Sequence, residues 1–431
     1  MSSPNIILIT CHDIGRHLDC YGVNTVRSPN LDRLADSGVR FNRAFSTSCG
    51  CSPSRASIAT GRFPHSNGVM GLTHPPFNWD LNPSEIHIAR CLGGAGYETH
   101  LFGFQHVSPD AARLGFDGLH CDGMTDCANP GLGCNVRVEL ETFLQAPRSK
   151  RPLYLELNLE ESHRPYDQGG ALPDTTKGVF VPGYLPVATE STREMAALQG
   201  AIRQADESIG DILEMLDRAG LAEDAIIVFV ADHGIAMPRA KCTLYDAGVG
   251  IALLISWANG GIPRGGAQAE LVSNIDIMPT LLELIGAPIP ESVQGQSLVP
   301  LLLGRAHTSR SEIYTEKTWH SYYDPMRSIR TDRYKLIRNF EPNSAVEVPS
   351  DVEQSPIFRR FVERYHAGVH PRLELYDLRQ DPDELNNLVD RPKSREILGS
   401  LNSQLNHWME STQDPLLNGF VPSPTGSHQA G

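Results

Sequence analysis

Asn5-Ile6-Ile7-Leu8-Ile9-Thr10, followed at once by Cys11, His12 and Asp13, sets how the rest of the chain is read. The run is apolar and rich in β-branched residues without alternation, which predicts a strand buried on both faces of a mostly parallel sheet. Ligands in open α/β sheets collect beyond the carboxyl ends of strands, so His12 and Asp13 are candidate site residues by position alone. Similar runs recur at 97–104, 152–159, 225–230 and 249–257. The first three end in further polar residues: His106, then Glu160 and His163, then Asp232 and His233. Helices are expected between them. Ser28-Pro29 is a start signal closed by Gly38, 85–91 reads as a helix, and from 189 to 219 apolar residues recur every three or four positions, the period of an amphipathic helix. Strands alternating with helices predict an α/β fold with a doubly wound sheet.

With 431 residues the chain can bury a large core and hold one large domain with a smaller one. Its 40% apolar and 20% charged residues are ordinary for a globular protein, and no apolar run approaches the length needed to cross a bilayer. The net charge of −14 opposes binding to nucleic acid or anionic lipid, so an anionic substrate would need locally focused positive charge: a basic island. The start, Met-Ser-Ser-Pro-Asn, has neither a positive n-region nor a cleavable apolar h-region, and the expected location is cytoplasmic. Nine scattered cysteines fit reduced thiols better than a disulfide framework. Cys121, Cys127 and Cys134 cluster, but their spacing matches no metal-ligand pattern.

The chemistry concentrates in Cys51-Ser52-Pro53-Ser54-Arg55-Ala56-Ser57-Ile58-Ala59-Thr60-Gly61. A thiol at a helix start, with a guanidinium one turn on, reads as a nucleophile in an anion site, because helix N–H groups and the arginine would add to one positive field. A buried structural cysteine is the plainer alternative for a lone Cys. The whole string resembles the C-x-P-S-R-x-x-L/I-x-T-G signature of type I sulfatases of the alkaline phosphatase superfamily. In that family the cysteine is oxidised to formylglycine, whose hydrate attacks sulfur through one hydroxyl and expels sulfate through the other.

The resemblance extends over nearly the whole chain. Asn30-Leu31-Asp32-Arg33-Leu34-Ala35 is similar to a P-N-L-D-x-L-A segment, Asp276 to Leu282 to a D-x-x-P-T helix, and Glu374-Leu375-Tyr376-Asp377-Leu378 with Asp381-Pro382 to the E-L-Y-D-L-x-x-D-P of sulfatase C-terminal subdomains. Gly103-Phe104-Gln105-His106 matches the family's G-K-x-H except that Phe104 replaces the lysine. His163 takes the place of the second histidine of H-x-P-H, with Glu160 at the first. Asp232-His233-Gly234 stands where sulfatases have D-N-G and related phosphonate and phosphodiester hydrolases have D-H-G. Lys241 stands where the family has a basic residue touching sulfate.

The resemblance implies an alkaline-phosphatase-like mixed sheet in a catalytic domain over 1–320, and an α+β subdomain with an antiparallel sheet over 321–431. It implies a hydrolase in which Cys51, Arg55, His106, His163 and Lys241 are catalytic. His106, His163 and Lys241 would neutralise the transferring group. One divalent metal would lie among His12, Asp13, Cys51, Asp232 and His233: calcium by family habit, with manganese, zinc or iron suggested by the two histidines, since imidazole suits softer ions. Softer matches, among them His65 to Leu72, Pro325-Met326-Arg327-Ser328 and Asp414-Pro415, look like the sulfamidase branch, the heparan N-sulfatases. That branch implies an N-sulfoglucosamine-type sulfamate, ahead of O-sulfated sugars or aryl sulfates, with Tyr322 and Arg327 at the substrate surface. The partners implied are a small sulfated saccharide and a formylglycine-generating maturation enzyme, with no nucleic acid and no membrane; a homo-oligomer is left open. Two readings compete: a phosphonate monoester or phosphodiester hydrolase, favoured by His233, and a non-catalytic sulfated-glycan binder, favoured by Phe104 and His12.

Overall fold

The structure is a computed structural model that describes residues 3–120, 135–343, 346 and 348–426. The Cys121, Cys127 and Cys134 cluster lies outside the described residues. Nine strands build the larger sheet: β1 (Asn5–Cys11), β2 (Val39–Phe45), β3 (Glu98–Phe102), β4 (Gly118–His120), β5 (Leu153–Leu159), β6 (Ala225–Ala231), β7 (Gly250–Ile251), β8 (Leu253–Ser256) and β9 (Gly266–Ser273). They run in the order β4-β3-β5-β1-β6-β8-β2-β7, with β9 paired to β2. The pairs from β4 to β6 are parallel, and β8 enters antiparallel to β6 and β2. All seven residues of β5 and of β6 are buried, as their unbroken apolar sequences require.

Helices cover both faces. Thr189–Arg218 packs with Pro29–Ser37 and Val136–Gln145 on one side, while Cys51–Thr60, Ile88–Gly94 and Ile277–Leu284 pack together on the other. The long helix turns Met195, Leu198, Ile202, Ala205, Ile209, Ile212 and Leu216 inward, the stripe its period predicts. Two expected elements differ. The helix expected at 85–91 begins at Ile88, because the His87 ring caps it by accepting from Ala89 N at 3.1 Å while Glu85 pairs with Arg62 at 3.2 Å. The strand expected at 249–257 is broken into β7 and β8 because Ala252 N turns aside to Gly15 O at 2.8 Å. Among the described residues no helix is long and apolar enough to cross a membrane.

A second, antiparallel sheet follows: β10 (Glu312–Trp319), β11 (Tyr323–Thr331), β12 (Tyr334–Asn339) and β13 (Leu373–Asp377), paired in sequence order. Helix Arg395–Ser411 packs Leu401, Leu405, Trp408 and Met409 against it. The two sheets are stitched by Glu316 N to Thr47 O at 2.8 Å and Trp319 N to Met70 O at 3.0 Å. The β10–β11 hairpin thereby lies beside the start of the Cys51 helix.

Candidate active site

Cys51 opens its helix after Gly50, which is extended and gives no side-chain cap, so the first N–H groups face the site. Every residue of this helix is buried. Ser54 explains its own place in the motif: its hydroxyl bonds Asp232 O and Ser46 Oγ (2.8 Å) and accepts from Asn274 Nδ2 (3.0 Å), pinning the helix start to the end of β6. One turn on, Arg55 gives Nε to Asp232 Oδ2 at 3.1 Å and Nη1 to Asn158 Oδ1 at 2.8 Å. Its Nη2 is buried with no hydrogen-bond partner among the described residues. Unsatisfied guanidinium N–H groups are costly unless a ligand meets them.

The strand ends converge as expected. Asp13 follows β1, and Asp232 and His233 follow β6; all three are fully buried. Asp13 has φ 50° and His106 φ 54°, a left-handed conformation uncommon outside glycine and typical of held functional residues. Gly103 and Gly234 are required sterically: a Cβ on the first would lie 2.5 Å from Asn158 O, and on the second 1.9 Å from Ala247 O. His12 Nδ1 is 2.8 Å from Asp232 Oδ2. His233 Nδ1 lies 2.9 Å from Gly234 O and so carries the proton, leaving the Nε2 lone pair 3.2 Å from both Cys51 Sγ and Asp13 Oδ1. A lone pair facing a carboxylate oxygen at that distance is repulsive unless a proton or cation lies between them. Ligand atoms of His12, Cys51, Asp232 and His233 all fall within 4.8 Å of one another, and this buried set of one carboxylate, two imidazoles and the side chain at position 51 fits a divalent cation.

Burial alone would raise the carboxyl of Asp232, but His233, His12 and Arg55 hold it well below its usual range. Burial pushes the Cys51 thiol far up, despite Lys241, so as a cysteine it stays protonated and weakly nucleophilic. Burial also depresses His106 well below its usual value, with His12 and Arg55 adding to the effect. Phe104, in the place of the family's lysine, stacks on His12 with centroids 4.6 Å apart and lies 4.3 Å beneath the Arg55 guanidinium. An aromatic face thus clamps the arginine where the family has a second cation.

Lys241 is buried and bridges: its Nζ lies 3.0 Å from Asp13 Oδ2, 2.9 Å from Asp351 Oδ2 and 3.4 Å from His163 Nε2. His163 Nδ1 is 2.6 Å from Arg164 O, which turns Nε2 into the site. The structure thus brings together His12, Asp13, Cys51, Arg55, His106, His163, Asp232, His233 and Lys241. It does not bring in Arg327, whose guanidinium is wholly buried in the small sheet, held by Asp414 (Nη2 to Oδ1, 3.0 Å) and Glu316 (3.2 Å). The expectation of Arg327 at the substrate surface is corrected: β11 is buried on both faces from Asp324 to Arg330, and Arg327 takes the face that carries Glu316 and Asp414. Tyr322 sits in the β10–β11 turn, where its carbonyl accepts from His320 N at 3.2 Å.

Three contributors went unread in the sequence. Asn158 carries Arg55 from the end of β5. His320, buried beside Gly50, has an Nε2 with no hydrogen-bond partner among the described residues and is driven well below its usual pKa by burial and Lys241. Asp351 belongs to a one-turn helix, Ser350–Glu353, with no motif around it. The expected basic island is also corrected, since the permanent cations Arg55 and Lys241 face three carboxylates, Asp13, Asp232 and Asp351. Side chains alone leave this centre acidic; a divalent cation would reverse its sign.

Residues 4–287 match the family model described as Sulfatase, and residues 239–364 match one described as N-sulphoglucosamine sulphohydrolase, C-terminal. The chain is 27% identical to the human N-sulphoglucosamine sulphohydrolase, over 98% of this chain and 92% of the relative. A structure solved in complex with its substrate D-glucosamine-2-N,6-O-disulfate superimposes with a TM-score of 0.71 at 18% identity, covering 96% of this chain and 99% of the other. The phosphonate monoester hydrolase of Agrobacterium radiobacter gives 0.71 at 19% identity, covering 96% and 97%. At these identities the two superpositions speak for the fold alone.

Proposed function

The chain belongs to the sulfatase family, and from that membership we propose that it hydrolyses the N-sulfate of a small terminal amino sugar, with Cys51 converted to formylglycine and one divalent metal bound. The buried, unpartnered Nη2 of Arg55, one turn behind residue 51, carries the reading. It is a fixed donor in want of an anion at the place where a nucleophile would meet sulfur. The N-sulfo preference rests on the C-terminal family match and the human relative.

Asp13, Asp232 and His233 would hold the metal, and His12 would orient Asp232. Bound there, a divalent cation supplies positive charge to the sulfate oxygens and lowers the pKa of an adjacent hydroxyl. The imidazole ligand favours manganese, zinc or iron over calcium. The hydrated aldehyde supplies two hydroxyls on one carbon, one for attack and one for release. Arg55 and Lys241 bind and orient the sulfuryl oxygens. His106 or His163 would pass a proton to the leaving atom. Phe104 excludes water beneath Arg55 and keeps its plane fixed.

Peptide mass across Cys51, paired with turnover of N-sulfo-, 6-O-sulfo- and 2-O-sulfoglucosamine and of a phosphonate monoester, tests this reading. The expected result is activity only in protein carrying the aldehyde, loss in Cys51→Ala, and N-sulfate as the best substrate. Equal rates from verified unconverted thiol would overturn the nucleophile. Preference for the phosphonate would replace the substrate class with the one suggested by His233, and preference for an O-sulfate would overturn the N-sulfate assignment.

A further inference from the structure

Asp351 poses a chemical problem, because a carboxylate at the entrance of an anion site repels the substrate. Its side chain is 18% exposed, against 2% for Lys241 and 0% for Asp13, so it and His163, at 12%, form the lip of the centre over a deeper floor. It is built in firmly. Val352 and Glu353 donate N–H groups to Pro349 O at 2.9 and 3.0 Å. Val348, Val352, Ile357 and Phe358 enter the main core. Ile357 N binds Glu194 Oε2 at 2.8 Å, and Glu194 pairs with Arg164 at 2.7 Å, the residue after His163. The segment carrying Asp351 and the loop carrying His163 are thus one wall.

Pairing with Lys241 at 2.9 Å does not account for this placement, since Lys241 already has Asp13 at 3.0 Å. The products of the proposed reaction do. Hydrolysis of a sulfamate breaks the S–N bond; sulfur passes to an oxygen, and nitrogen keeps the electron pair and takes up protons. The balance is R–NH–SO3− + H2O → R–NH3+ + SO4 2−. An O-sulfate instead gives R–OH + SO4 2− + H+, with an uncharged sugar. Only the sulfamate makes a cation at the leaving atom.

Resting on the N-sulfate reading above, we propose that Asp351 is the residue that selects for amino-sugar sulfamates, by receiving the positive charge that gathers on the departing nitrogen. The carboxylate stands 2.9 Å from Lys241, which is expected to hold the sulfuryl group, and 3.9 Å from His163 Nε2, so the three surround the place where sulfate and nitrogen part. A sulfuryl group drawn to Lys241 takes up that lysine's charge, and Asp351 is then free to face a cation.

Asp351→Asn keeps the size and removes the charge. Its effect is read as the ratio of kcat/KM for N-sulfoglucosamine to that for a neutral-leaving aryl sulfate. Loss through a displaced Lys241 is common to both substrates and divides out. The ratio is expected to fall on the order of 30-fold, the scale of truncating one partner of a close buried charge pair, and Asp351→Glu is expected to recover part of it. In parallel, glucosamine should inhibit aryl sulfate hydrolysis by wild-type protein far better than glucose does, and Asp351→Asn should abolish that difference. An unchanged ratio, or glucosamine no better than glucose in the wild type, overturns the proposal. If N-sulfoglucosamine is not turned over at all, the substrate reading fails by itself, and the two inhibitors still decide whether Asp351 recognises an ammonium group.

Discussion

The catalytic centre and the small sheet both bury charges completely, and they treat them in opposite ways. In the small sheet the buried ions are paired: Arg327 takes two oxygens of Asp414 and one of Glu316, Glu316 takes the His65 ring at 2.9 Å, and Lys317 takes Asp324 at 2.8 Å. In the centre, Arg55 keeps an idle Nη2 and His233 aims a lone pair at Asp13. Saturated buried charge is structure; unsaturated buried charge is a site waiting for a ligand. The contrast predicts that removing a cation from each region gives different losses.

Arg327→Met should be the most damaging to stability, costing about 3–5 kcal/mol because Asp414 and Glu316 are left buried without their cation. Denaturant unfolding measures it, and a cost under about 1 kcal/mol would break the comparison. Arg55→Met should reverse the pattern, with a stability loss smaller than that of Arg327→Met and a fall in kcat of roughly 10²–10³-fold, the scale of removing one preorganised oxyanion donor. Steady-state kinetics beside the same unfolding curves would show whether the two regions differ as stated.

A smaller effect sharpens the contrast with an uncharged buried group. Burial holds the His87 ring down to about 3 from 6.5, and it accepts from Ala89 N only while neutral. The folded pKa lies below the unfolded one, so stability is complete above about pH 6.5 and is lost as pH falls toward 3. By pH 5 the loss is about 2 kcal/mol. His87→Asn, whose amide oxygen can still cap the helix, should flatten the slope between pH 6.5 and 5, as thermal midpoints would record.

The parallel half of the sheet was legible because strands buried on both faces announce themselves as unbroken apolar runs, and the site followed because β1 and β6 deliver Asp13, Asp232 and His233 to one edge. Arg327 was misplaced because sequence proximity to a motif does not reveal which face of a strand a residue takes. Its partners, Asp414 and Glu316, lie 87 and 11 positions away in the chain. Asp351 and His320 were invisible for a related reason: their roles come from a loop and a hairpin folding back onto the centre, with no local periodicity or motif to mark them. Phe104 was seen as a departure, but its contact with both His12 and Arg55 required the geometry.

Burial of Cys51 also sets a clock. The residue is 4% exposed, and it is closed in by His233, which lies 182 positions later. Chains grow at roughly 5–20 residues per second, so about 10–35 s separate the synthesis of the thiol from that of the residue that covers it. On the proposed conversion of residue 51, an enzyme taking it into its own active site would have that interval, while the later strands are still missing, and would lose its substrate when β6 docks beside β1. The proportion of working molecules would then be set by a race between modification and folding, and slower elongation through residues 52–233 would raise it without altering a single contact in the finished protein.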